Sequence, residues 1–360
     1  MYPPDGCGVG ADPDCAPVPT NASIKLRFDR FLNPATVNRQ AIQVYTAEPR
    51  FSPGVTFQVA YDPVERVVEF RVPPGQGFAS QALYQIVLNV AKTEGDFGLR
   101  AIDGAPLTEA DGPLHTSFFT GDAPVAQPLE PAVKCATIVQ EVLGQTLGNC
   151  TGSACHASSG NQLDGQRLAG PPYGLALDDA DVLVRTAVQR IAHETDLGDE
   201  SGGIPAESGA RFGVRMPLID PRSPGNSYLL YKLFLRRENF EPCPPGATAL
   251  VCQQDPTADP TVSTHTDLPL ARGESVVPSD DELVRLREWF VRGEPMPRSQ
   301  DLGGQLVEGN VRLQGLRALS RFIAAGADCT TTTLPARSEP AFPAAVAAPR
   351  IKAAISVDTL

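Results

Sequence analysis

The chain has 360 residues, with 42 Asp and Glu against 30 Lys and Arg and a formal net charge of −12, which argues against a nucleic-acid partner, since that would need a basic stripe of Lys and Arg. That length suffices for two domains, each with its own core, and no stretch is apolar for long enough to span a membrane. Eight Cys among 35 Pro and 32 Gly describe a loop-rich chain, and close Cys pairs in such surroundings are read as staples formed in an oxidising compartment.

Residues 1–20 hold Pro, Gly, Asp and the pair Cys7/Cys15 without periodicity, so they are read as a leader arm tied by that disulfide. Met1 opens neither a charged n-region nor an apolar core, as expected of an exported protein shown without its leader. From Ala22 the pattern changes to short runs of period two: Ile24, Leu26 and Phe28 alternate with Lys25, Arg27 and Asp29. Further runs follow at Ile42–Tyr45, Val55–Tyr61, Val67–Val72, Tyr84–Val90 and Ser117–Thr120, each bounded by turn residues. Short strands so spaced predict a β-sandwich over residues 21–122. His115, on the last strand, is read as a rim or core side chain.

The segments Ile24–Val37, Tyr84–Leu88, Asp103-Gly104 and Phe119-Thr120 resemble a bacterial Ig-like domain of the kind found in cell-surface and S-layer proteins. The resemblance covers about residues 20–122 and implies a spacer or docking module.

Residues 123–131, rich in Pro and Ala, are read as a linker. Beyond them Cys135, Val139, Val142 and Leu147 recur at helical spacing and predict a helix that ends at Gly148. There follows Cys150-Thr-Gly-Ser-Ala-Cys155-His156. Two cysteines with a histidine directly after the second are the pattern of covalent haem attachment, in which the thiols bond the vinyl groups and the imidazole binds the iron. Here four residues separate the cysteines where two are common. The competing reading is a small Cys150–Cys155 disulfide loop with His156 a polar neighbour; zinc is weaker, because adjacent Cys155 and His156 cannot easily share a tetrahedral ion.

A second helix is predicted from Asp179 to His193 with Leu183, Ala187 and Ile191 on one stripe, and His193 is read as a solvated cation at its end. Ser223 and Pro224 read as the N-cap and first turn of a short helix. Cys243 and Cys252 form the second close pair. Ser279-Asp-Asp-Glu282 is a capping box, opening a helix that carries Leu283, Leu286, Trp289 and Phe290 inward and stops at Gly293. A last helix, Leu313 to Ala325, precedes Cys329, and residues 330–360 read as a poorly ordered tail. Cys135 and Cys329 remain as the third disulfide pair, closing the second domain.

Cys150-x4-Cys155-His156, Asp220 to Leu233 and Ser279 to Gly293, in that order, resemble the extended cytochrome c-like domains of bacterial secreted proteins. That resemblance implies one covalent haem c over a domain at residues 132–329, with Cys150 and Cys155 as thioether anchors, His156 as proximal ligand and Trp289 covering a haem edge. Where the family usually shows Met-Pro, this chain reads Asp267-Leu268-Pro269. For the sixth ligand the order of segments favours His265, then Met216, then an open position; Met296-Pro297 follows the Trp289 helix and is displaced. The fold expected is therefore an N-terminal all-β Ig-like sandwich followed by a mainly α cytochrome c-like domain with long loops. The function expected is exported one-electron transfer to a redox partner that the residues do not identify, in the periplasm, at the outer membrane or outside the cell. The alternatives are a surface structural or adhesive protein held by disulfides alone and a five-coordinate haem enzyme or ligand binder.

Overall fold

The computed structural model describes residues 17–46, 57–73, 76–90, 98–102, 104–107, 115–122, 124, 133–144, 147–151, 156–158, 162–163, 166–167, 174–192, 216–253, 277–291, 296, 300–302, 305–307 and 309–329. The expected Cys7–Cys15 bridge, Cys155, His193, His265, nearly all of the linker and the whole tail lie outside them.

Strand β1 (Ile24–Arg27), β2 (Ile42–Thr46), β3 (Gln58–Asp62), β4 (Val67–Arg71), β5 (Leu83–Leu88) and β6 (His115–Phe119) fall where the alternating runs place them. They form two three-stranded antiparallel sheets, ordered β1-β4-β3 and β2-β5-β6. The registers pair Ile24 with Phe70, Val59 with Phe70 and Tyr84 with Phe118, so large apolar side chains meet across neighbouring strands. Ile24, Tyr61, Val68 and Phe70 of the first sheet share one core with Ile42, Tyr84, Ile86 and Phe118 of the second. Phe78 sits at its centre, with ring centroids 4.8 Å from Tyr84 and 5.2 Å from Phe118.

The helical half begins with α1 (Cys135–Thr137), which runs on as a π-helical turn over Ile138–Val142. Leu143 N–H donates to Ile138 O at 2.8 Å, five residues back. Then come the two-residue strands β7 (Gln162–Leu163) and β8 (Gln166–Arg167), α2 (Ala180–Thr186), α3 (Tyr228–Phe234) and α4 (Leu250–Gln253). After them come α5 (Asp280–Arg285), the short pair β9 (Gln300–Leu302) and β10 (Gln305–Val307), and α6 (Arg312–Ala324). The capping box at α5 has both of its expected hydrogen bonds, Glu282 N–H to Ser279 Oγ at 3.2 Å and Ser279 N–H to Glu282 Oε2 at 2.9 Å. Disulfides join Cys135 to Cys329 and Cys243 to Cys252. The first ties the start of α1 to the chain just beyond α6.

Two helices differ from expectation. Helix α2 stops at Thr186, not at His193, because Gln189 takes a left-handed φ of 56°. The following residues form bridges instead, Val188 to Ile219 and Ile191 to Pro217. Ser223 and Pro224 open only a 3₁₀ turn, Pro224–Asn226, and α3 starts one step later with Ser227 at its N-cap.

The helical core takes in three residues of the strand-rich half, Phe31, Val64 and Ile102. Phe31 is fully buried, its ring 5.3 Å from Phe234 and 6.2 Å from Phe240, with the Arg66 guanidinium 4.4 Å over its face. Its backbone N–H donates to Glu282 Oε1 at 2.8 Å. Nearby, Glu65 accepts from Arg27 on β1 at 3.2 Å and from Arg317 on α6. Gly225 completes the seam, since a Cβ there would lie 2.7 Å from the Tyr61 ring. No helix among the described residues is long and apolar enough to cross a membrane.

Candidate functional site

The turn after α1 is built by main-chain contacts. Asn149, at a left-handed φ of 49°, turns the chain, and Cys150 N–H donates to Leu143 O at 2.8 Å. Gly148 admits no side chain, because a Cβ would run into Val142 O and approach Cys150 Sγ to 3.2 Å. Cys150 is buried, and its Sγ lies 3.6 Å from Gly148 O.

His156 is held at three points. Its N–H donates to Cys150 O at 3.0 Å, its carbonyl accepts from Leu177 N–H at 2.8 Å, and its Nδ1 lies 2.9 Å from Leu175 O. A carbonyl oxygen can only accept, so Nδ1 carries the proton and Nε2 keeps its lone pair. Burial lowers the imidazole's pKa; the Leu175 hydrogen bond opposes this and Lys232 adds to it. A neutral imidazole whose second nitrogen is oriented by a backbone carbonyl is the form in which histidine binds metals.

The segment that supplies Leu175 is fastened to α2. Thr186 Oγ1 donates to Ala176 O at 2.8 Å, while Asp179 caps the helix by accepting from Asp181 N–H and Val182 N–H. Beyond α2, Ala192 N–H donates to Met216 O at 2.9 Å and Leu218 N–H to Arg190 O at 2.6 Å, laying residues 188–192 against 216–219.

These pieces, with α3, enclose a cavity of about 400 Å³, within the roughly 300–1,000 Å³ usual for cofactor and small-molecule sites. His156, Leu175, Leu218, Tyr228, Leu229 and Met296 give it a largely apolar wall. Met296 is positioned by the fully buried Asn239, whose Nδ2 donates to Met296 O at 2.9 Å and to Leu233 O at 2.8 Å. Asn239 Oδ1 in turn accepts from Val311 N–H at 2.9 Å.

No protein-family model matches the chain, and no curated protein matches it significantly. The cavity therefore has to be read from its own residues.

Of the residues singled out by sequence, His156 lines this cavity. Met216 is buried in the helical core, and the described lining does not include it. Cys150 also stands outside that lining. Cys155 and His265 lie outside the described residues, as does the side chain of Trp289. Met296, set aside on segment order, stands in the cavity wall with His156. Its Met-Pro dipeptide was the available signal; the Asn239 contacts that hold it join positions 57 residues apart in sequence.

Proposed function

We propose that the protein is an exported c-type cytochrome that carries one haem and transfers single electrons. The observation that carries the reading is the orientation of His156. An imidazole with Nδ1 committed to Leu175 O and Nε2 basic, lining a cofactor-sized cavity and ending a Cys-x4-Cys-His sequence, fits a ligand to haem iron. Among the described residues no group of three or more His, Cys, Asp or Glu is arranged to hold an ion, and a single imidazole suits a metal whose equatorial ligands come from a macrocycle.

In this reading haem supplies the one-electron Fe(III)/Fe(II) couple when bound. Cys150 and Cys155 would hold it through thioethers to its vinyl groups. His156 and Met296, which line the cavity together, would supply the protein's ligands to its iron, and the Leu175, Leu218 and Leu229 side chains would exclude water. The strand-rich half is an Ig-like module fixed to the helical half through Phe31 and Glu65.

The test is a denaturing gel stained for haem peroxidase activity after export through a cytochrome-maturation pathway. A stained band at the protein's mass that vanishes in Cys150→Ala/Cys155→Ala supports the reading. A colourless, correctly matured protein overturns it in favour of a surface protein held by disulfides, and a red protein with a high-spin ferric spectrum favours a five-coordinate ligand binder.

A further inference from the structure

The chain carries a formal charge of −12, yet the described lining of the cavity contains no Asp or Glu and three basic side chains, Arg185, Arg190 and Lys232. They sort by depth. Lys232 is 4 % exposed on α3, whereas Arg185 and Arg190 are exposed at and just beyond the last turn of α2. Ile191, 42 % exposed, stands beside them.

Main-chain oxygens fix each arginine at Nε. Arg185 Nε donates to Asp181 O at 3.3 Å and Arg190 Nε to Arg185 O at 2.8 Å. The terminal nitrogens of both forks remain. Asp181 is four residues from Arg185, the spacing at which helical ion pairs form, but among the described residues neither arginine joins an ion pair. Two guanidinium groups, held by their stems and not neutralised by any carboxylate among the described residues, stand at the mouth of an apolar cavity.

We propose that Arg185 and Arg190 bind the carboxylates of the cavity's ligand. This rests on the haem reading above, in which those carboxylates are the two haem propionates. An ionised carboxylate in the apolar floor would lose its hydration without a partner, whereas a guanidinium at the mouth offers a planar, bidentate match. The arrangement suits an amphipathic ligand with an apolar body and an acidic edge. Cations at the propionates keep them ionised through the neutral range and favour the reduced iron, whose net charge is less positive.

The experiment compares the haem-loaded full chain with Arg185→Gln, Arg190→Gln and the double variant, measuring the reduction potential from pH 5 to 9. The other titratable groups of the described lining, His156, Tyr228 and Lys232, are present in every variant. The expected result is a haem-stained double variant whose potential is lowered and gains a slope with pH in the neutral range, with each single variant intermediate and Arg190→Lys restoring the original profile. Stained variants with unchanged potential and profile overturn the carboxylate site and leave the haem reading standing. A colourless parent protein overturns both.

Discussion

Nδ1 of His156 lies 2.9 Å from the carbonyl oxygen of Leu175, and Met296 lines the same cavity. Met296 and Met216 should therefore respond differently to truncation. On the proposed haem reading, Met296→Ala should keep covalent haem but lose the low-spin, six-coordinate ferric spectrum and lower the potential, because methionine ligation raises it. Met216→Ala should leave the spectrum unchanged and cost about 2–5 kcal/mol, since Met216 is only 2 % exposed within the helical core. Spectra and denaturant curves of the two variants separate the roles. If His265→Ala alone removes the low-spin spectrum, the distal ligand is His265 instead.

Glu65 is the ionic counterpart of Phe31 at the seam. Its carboxylate is buried between Arg27 of β1 and Arg317 of α6, and burial lowers the Arg27 pKa more than Glu65 raises it. Removing one partner from a buried pair leaves uncompensated charge, typically worth roughly 3–5 kcal/mol. Glu65→Ala should show a loss of that order by urea denaturation, and the triple change Glu65→Leu/Arg27→Met/Arg317→Met should recover most of it.

The Cys135–Cys329 bridge closes 194 residues of sequence separation, which in the chain-entropy model stabilises by about 5 kcal/mol. The expected effect of Cys135→Ser/Cys329→Ser is a marked drop in the urea midpoint. Non-reducing peptide maps should recover the two half-cystines as one linked pair; alkylation of Cys135 in the unreduced protein would refute the pairing.

Asp220 gives a pH dependence of known sign. Partial burial raises its pKa above the ordinary 3.8, opposed by the hydrogen bond from Asn226 Nδ2 at 2.6 Å. The folded state then holds the proton more tightly than the unfolded one. Its contribution is fully present below pH 3.8 and is lost as pH rises through the folded value. Asp220→Asn should remove that decline, so the difference in melting temperature between variant and parent should shift in the variant's favour as pH rises from 3.5 to 7. A difference that stays constant across this range would contradict the assignment.

Local signals in the sequence sufficed where the physics is local. Alternation of apolar residues sets which face of a strand is buried, so β1 to β6 were legible within a few residues of their ends. The Ser279–Glu282 box satisfies its own backbone donors and marked α5 without help from the rest of the chain. The Cys135–Cys329 pairing was legible once the two close pairs and the Cys150/Cys155 motif had been set aside. The length of α2 was not, because Ile191 can serve a helical stripe or an extended segment equally well, and the bridges to residues 217 and 219 decided for the second. Nor was the role of Phe31, which reads as one more strand-half apolar residue until α3 and Phe240 close around it. The site divides in the same way. His156 announced itself by its neighbours in sequence, but its tautomer depends on Leu175, and the place of Met296 depends on Asn239. Both are tertiary hydrogen bonds between distant segments, and a side chain's spacing along the chain carries no record of them.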